Sequence, residues 1–148
     1  MKQQRQIGFE VLQPAQEQAA LELVIPFTTP RLTRAALDAA NRMGSGLHAA
    51  IRVLQVQVVP YPLQIEQSPV VIDFLKTRLE KLQSALPVHA EILLTRDFEP
   101  ALESALNQHS IVVLASPARP WRTRTERLAD RLRRDGHTVV MVKEGNDA

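Results

Sequence analysis

Residues 22–43 read ELVIPF, TTP, RLTRAALDAANRM, an apolar run followed by a turn and an amphipathic helical pattern. The first part is nearly continuous in apolar residues, which is typical of a parallel strand buried on both faces. Thr29 and Pro30 are favoured at the N-cap and at the first position of a helix. The predicted inner face of that helix consists of Leu32, Ala36, Ala39, Ala40 and Met43. This segment therefore predicts the strand-turn-helix unit of an α/β domain.

The same alternation repeats along the chain. Further strands are predicted at residues 48–59, 88–95, 110–115 and 138–143, and helices at residues 69–86, 98–107 and 121–135. Strands that alternate with helices indicate a parallel sheet with right-handed crossovers and helices on both faces. The predicted fold is a three-layer α/β/α, Rossmann-like domain with a five-stranded parallel sheet.

Composition and length set the broad class of protein. The chain has 148 residues, 45% of them hydrophobic and 23% charged, which fits one globular domain with its own core. No apolar run approaches the roughly 20 residues of a membrane span, so direct membrane insertion is not expected. The sequence contains no cysteine, which excludes thiolate chemistry and agrees with a cytoplasmic location.

The ends of the chain fall outside the repeating pattern. We expect residues 1–20, which include six glutamines, to form an N-terminal arm or linker, with at most one edge strand near residues 7–12. The α/β domain is expected to span residues 21–144, followed by a polar tail at residues 145–148. A linker from an upstream domain would have the same composition as the arm.

Two segments resemble the universal stress protein family. IPFTTPRLTRAALDAA, residues 25–40, parallels the family pattern of a strand, an aspartate turn and an Ala-rich helix, and ADRLRRDGHTVVMVK, residues 129–143, parallels its closing helix and strand. The resemblance covers roughly residues 21–144. It implies the strand order 3-2-1-4-5, a stress-linked or regulatory role, and ATP or AMP binding in some members only. It also implies a homodimer paired along the last strand, here Thr138, Val139, Val140, Met141 and Val142.

The residues that bind nucleotide in this family are replaced here. Thr28 stands where the resemblance implies an aspartate after the first strand, and a hydroxyl is a weaker, uncharged partner. The glycine-rich phosphate loop is replaced by ASPARPWRTRTERLAD, residues 115–130, which contains no glycine. We therefore expect no nucleotide cofactor of the family type.

The replacement segment has its own basic character. Residues 119–148 carry a net charge of +3, whereas residues 1–118 carry −1. Because ligands of parallel α/β sheets bind beyond the carboxyl ends of the strands, the candidate loops are residues 28–31, 59–62 and 116–122. An anion site is predicted from Thr28, Thr29, Ser116, Arg119, Arg122 and Arg124. The alternative is a solvated basic face, on which Arg127, Arg131 and Arg134 pair with acidic residues of the same helix.

Other kinds of site find little support in the sequence. The four histidines, His48, His89, His109 and His137, are predicted at strand starts, away from the ligand loops and without metal-site spacing. No nucleophile motif or paired acid and base is present, so we expect no enzymatic activity. The arginines lack interleaved aromatic residues, so no nucleic-acid partner is expected.

Two functional hypotheses follow. The first is a regulatory or interaction module, resembling universal stress proteins, that acts through dimerisation and contacts with a protein partner. The second is a sensor domain that binds a nucleotide or another phosphorylated small molecule through its arginines. The resemblance also allows the cytoplasmic domain of a transporter or kinase, because the family occurs as an appended domain.

Overall fold

The apolar segment after residue 20 forms an interior strand of a six-stranded sheet. The structure is a computed structural model that describes residues 4–10, 21–47, 49–59, 69–82, 88–107 and 109–144. The elements in chain order are β1 (Gln4–Glu10), β2 (Leu21–Pro26), α1 (Pro30–Gly44), β3 (Ala49–Val58), α2 (Pro69–Glu80), β4 (Val88–Thr95), α3 (Phe98–Ala105), β5 (Ile111–Pro117), α4 (Arg124–Arg134) and β6 (Thr138–Glu144).

The strands of the sheet follow the order β1-β4-β3-β2-β5-β6. The last five of these run parallel, in the order 3-2-1-4-5 when the parallel strands are numbered along the chain, which confirms the predicted fold class. β1 joins β4 antiparallel, from the pair Gln4↔Thr95 to the pair Glu10↔His89. The N-terminal segment therefore contributes one edge strand, while residues 11–20 and 145–148 lie outside the described residues.

Two hydrophobic cores cover the two faces of the sheet. Alternate residues of β2 divide between them, because successive side chains of a strand point to opposite faces: Leu23 and Ile25 enter one core and Val24 the other. The first core includes α1 and α2, and the second includes α3 and α4. Small residues let α1 approach the sheet closely, since Ala36 and Ala40 are almost completely buried.

The last helix begins later than predicted. It starts at Arg124 instead of Trp121, and Trp121 is 61% exposed. Thr123 determines this start, because its side chain accepts a hydrogen bond from the backbone N–H of Glu126 and the two residues form a capping box. The prolines at positions 117 and 120 cannot donate to a preceding helical turn, which also favours the later start.

Several other boundaries differ by a few residues. α2 ends at Glu80, earlier than predicted, and Leu86 lies outside the described residues. α3 ends at Ala105, and β5 extends to Pro117 beside β6. No helix in the described ranges is both long and apolar enough to cross a membrane.

Candidate ligand-binding cleft at the carboxyl ends of the strands

A cleft opens between the ends of β2 and β5. These strands pair with each other only at Leu23↔Ile111 and Val24↔Val112, so their later residues are not joined by sheet hydrogen bonds. The winding of the sheet reverses at this point, because the chain leaves β2 toward β3 on one side and later returns to β5 on the other. The cleft has a volume of about 690 Å³, and ligand pockets commonly measure about 300–1,000 Å³.

The turn between β2 and α1 forms one wall of the cleft. Thr28 and Thr29 both line it, as the sequence predicted for the loop that follows this strand. The hydroxyl of Thr29 accepts a hydrogen bond from the N–H of Leu32 at 3.1 Å, and the N–H of Thr28 donates to the hydroxyl of Thr33 at 3.1 Å. These bonds hold the turn in place. The Thr28 hydroxyl has no partner among the described residues and is available to a ligand.

The start of α4 forms the opposite wall. The hydroxyl oxygens of Thr123 and Ser116 lie 2.7 Å apart, and both lie within hydrogen-bond distance of Oε1 of Glu126, at 3.1 and 3.3 Å. The backbone N–H of Thr123, above all, holds the pKa of Glu126 below its ordinary value, and the Thr123 hydroxyl and the Lys143 ammonium act in the same direction. Ser116 is fully buried in this network, so it supports the helix start instead of lining the cleft.

Three arginines of α4 line the cleft: Arg124, Arg127 and Arg131. Arg131 pairs with Glu99 at the start of α3. Within the described part of the chain, Arg124 and Arg127 have no ion-pair partner. The charged groups of the cleft wall, these arginines and Glu99, carry a formal charge of +2, which favours an anion.

The predicted arginine cluster is divided by the structure. Arg119 lies over the ring of Trp121, 5.5 Å from its centroid, and Arg122 pairs with Asp130. Neither lines the cleft, although Arg122 lines a separate hollow of about 250 Å³ between α4 and β6. Of the three arginines predicted for the anion site, Arg124 alone reaches the cleft with Thr28 and Thr29.

Sequence reasoning missed Gln55. This side chain lines the cleft from β3 and is 7% exposed, and its Oε1 atom has no hydrogen-bond partner within the described ranges. A buried amide oxygen without a partner is unusual, since the large majority of buried side-chain polar atoms in proteins are hydrogen-bonded. A sequence signal did exist, because Gln55 interrupts the apolar run of a strand that is buried on both faces.

The floor of the cleft is apolar. Phe27 and Leu32 border it from the side of α1, and Val56, Phe98 and Leu128 from the side of α3 and α4. The guanidinium of Arg78 on α2 lies 4.4 Å from the centroid of the Phe27 ring, at cation–π distance. An occupant would therefore contact apolar surface along its length and charged or polar groups at the rim.

Two other sets of predicted residues lie elsewhere. In the loop at residues 59–62, Val59 is buried and its N–H donates to Thr95, while residues 60–62 are outside the described part of the chain. The predicted dimer residues form β6, which pairs with β5 on one side and with no described strand on the other. In this strand Thr138 is exposed, Val139 is buried, and Val140, Met141 and Val142 are half-buried.

The described lining of the cleft contains groups that can bind a ligand through hydrogen bonds and charge. Its hydroxyl, amide and guanidinium groups donate or accept hydrogen bonds, and its one carboxylate, that of Glu99, pairs with Arg131. Among the residues that the structure describes, no three histidine, aspartate or glutamate side chains lie close enough together to hold a metal ion. The sequence matches no protein-family model, and no curated protein matches it.

Proposed function

We propose that this protein is a non-catalytic regulatory module, resembling universal stress proteins, that senses a small anionic molecule in the cleft between β2 and β5. The observation that carries this proposal is the pair Arg124 and Arg127, two cations without an ion-pair partner among the described residues, on the wall opposite Thr28 and Thr29. Guanidinium groups bind phosphate and carboxylate by paired N–H donors. The lack of cysteine supports a cytoplasmic location.

The start of α4 argues against nucleotide binding in the family manner. The carboxylate of Glu126 already accepts a hydrogen bond from the N–H of Thr123, so it occupies the positive end of the helix where the phosphates would lie. A second anion at that point would be repelled. The arginine side chains further along α4 offer an anion position that avoids this carboxylate, which supports a ligand held in a different pose.

A binding experiment tests the proposed function. Thermal unfolding and calorimetry of the full chain would be measured with inorganic phosphate, hexyl phosphate, AMP and ATP. We expect hexyl phosphate to bind, since it presents both a phosphate and an apolar chain, and a ligand at 100 times its Kd adds about 2.7 kcal/mol to stability.

Matched double variants locate the site. The variant Arg124→Gln/Arg127→Gln should weaken hexyl phosphate binding at least tenfold, whereas Arg42→Gln/Arg134→Gln, which removes the same charge from exposed positions outside the cleft, should leave it unchanged. If no anion binds, or if both variants weaken binding equally, the proposed function is wrong.

A second candidate function is self-association through β6, which is favoured because no described strand pairs with the outer edge of β6. An exposed strand edge presents unpaired N–H and C=O groups to a second copy, and twofold antiparallel pairing would satisfy them. Sedimentation from micromolar to millimolar concentration should then reveal a dimer. Val140→Lys should weaken it by bringing like charges together, whereas Val58→Lys, at the exposed end of β3, should not. A monomer at every concentration would contradict this candidate.

A further inference from the structure

We infer that the cleft selects an elongated amphipathic acid, with its acidic group at Arg124 and Arg127 and a hydroxyl or N–H donor at the opposite end bound by Oε1 of Gln55. This inference rests on the proposed function, and it adds the chemical class of the ligand. It depends on three features of the cleft: the unpartnered amide oxygen, the apolar floor and the separation of the two polar ends.

Gln55 is the reason that the ligand needs a hydrogen-bond donor. Its Oε1 atom is a hydrogen-bond acceptor that lines the cleft and finds no partner in the described part of the chain. A bound ligand that places an O–H or N–H group there satisfies an acceptor that the described residues leave unpaired. A ligand that places only an ether or an alkyl group there leaves the buried oxygen unsatisfied. Gln55 therefore discriminates among ligands of similar size and charge.

Strand order sets the distance between the two ends of the ligand. Gln55 lies on β3, α4 follows β5, and β2 lies between β3 and β5. Neighbouring strands are about 4.8 Å apart, so β3 and β5 are about 10 Å apart, and we take this spacing as the span between the donor and the acidic group of the ligand. A single inorganic phosphate or a short hydroxy acid cannot reach both ends, whereas an extended six-carbon chain can.

The floor between the two ends excludes a polar ligand body. Val56, Phe98 and Leu128 border this part of the cleft, with Phe27 and Leu32 on the other side. Apolar groups that lie on this floor gain free energy in proportion to the apolar area that they remove from water. A polar chain would lose its hydration over these apolar side chains without gaining partners from them. The middle of the ligand is therefore apolar.

Three matched probes test the inference: 6-hydroxyhexyl phosphate, 6-methoxyhexyl phosphate and hexyl phosphate. They share the phosphate and the six-carbon chain, but only the first ends in a hydrogen-bond donor. Calorimetry of the full chain should give about tenfold tighter binding of the hydroxyl probe than of the methoxy probe, which corresponds to about 1.4 kcal/mol.

Two glutamines of β3 provide the variant and its control. Gln55→Met keeps the length of the side chain and removes the acceptor, so it should abolish the preference for the hydroxyl probe while hexyl phosphate still binds. Gln57→Met should keep the preference, because Gln57 lies on the same strand but outside the cleft. Its amide donates to the carbonyl of Val58.

The outcomes separate this inference from the proposed function. If all three probes bind equally and binding still requires Arg124 and Arg127, the role of Gln55 is overturned and the anion site stands. A hydroxyl preference that survives in Gln55→Met also overturns it. If no probe binds, both the inference and the proposed function are wrong.

Discussion

The hydroxyl oxygen of Ser116 lies 2.7 Å from that of Thr123, which joins the end of β5 to the start of α4. Both side chains are buried, and Thr123 is also the N-cap of the helix. This contact determines where α4 begins. It therefore also determines the point from which the side chain of Arg124, the next residue, extends. The position of the arginines in the cleft therefore depends on a buried pair of hydroxyl groups. Of these two residues, Thr123 lines the cleft and Ser116 does not.

Thr123→Ala should destabilise the protein. The change removes the N-cap hydrogen bond to Glu126 and the contact with Ser116, and loss of an N-cap side chain commonly costs about 0.5–2 kcal/mol. Urea unfolding measures the loss. The control Thr77→Ala, at an exposed position of α2, should change stability by less than about 0.5 kcal/mol. Equal effects of the two changes would show that the cap contributes nothing.

Glu126 should make stability depend on pH. Its pKa in the folded protein lies below the ordinary value of 4.5, chiefly because the Thr123 N–H binds the ionised form. The ionised form therefore favours folding: its contribution is complete above the unfolded-state pKa and is lost as pH falls through the folded-state pKa. Urea midpoints between pH 7 and pH 3 should fall less steeply for Glu126→Gln than for the wild type. Glu80→Gln, at an exposed position, serves as control, and identical slopes for wild type and Glu126→Gln would contradict the prediction.

Gln55→Met should stabilise the ligand-free protein. Leaving a buried acceptor unsatisfied costs about 1–3 kcal/mol, and a thioether of similar length removes that cost. Guanidinium unfolding of the two proteins measures the difference. A loss of stability would mean that the amide is satisfied in the folded protein, and would remove the basis for a ligand donor at this position.

Arg52→Met should be strongly destabilising. Nε and Nη2 of Arg52 lie 2.5 and 3.0 Å from the two carboxylate oxygens of Glu91, which is 5% exposed. Removing one partner of a buried ion pair commonly costs about 3–5 kcal/mol, because the other charge stays buried.

The matched double variant Arg52→Met/Glu91→Met should recover most of that loss, and Arg42→Met, an exposed arginine of α1, should have little effect. Chemical unfolding of the three variants completes the test. A double variant as unstable as Arg52→Met alone would show that the cost comes from packing and not from the unpaired carboxylate.

Local patterns were sufficient to predict most elements of the fold. The apolar run of β2, the Thr29–Pro30 turn and the small residues of α1 lie within about twenty residues of one another, and each follows from short-range sterics and periodicity. The start of α4 was predicted three residues too early, because the competing signal, the Thr123 and Glu126 capping box, was not recognised in the sequence.

The candidate site was predicted only in part. Thr28, Thr29 and Arg124 do line the cleft, because they follow strands that end at the same edge of the sheet. One alternative for the basic segment had Arg127 and Arg131 pair with acidic residues of their own helix. Instead Arg131 pairs with Glu99 of α3, a contact that depends on which helices are neighbours on the sheet.

The sequence by itself determined the class of fold and the basic character of the last helix, because these depend on composition and on spacing along the chain, whereas the strand order was implied only by the resemblance. Only the tertiary structure decided which of the basic and polar groups share one cleft. It turned Arg119 and Arg122 toward Trp121 and Asp130, and it buried Oε1 of Gln55 where no described residue donates to it. Such placements follow from contacts between residues distant in the chain, which no local pattern encodes.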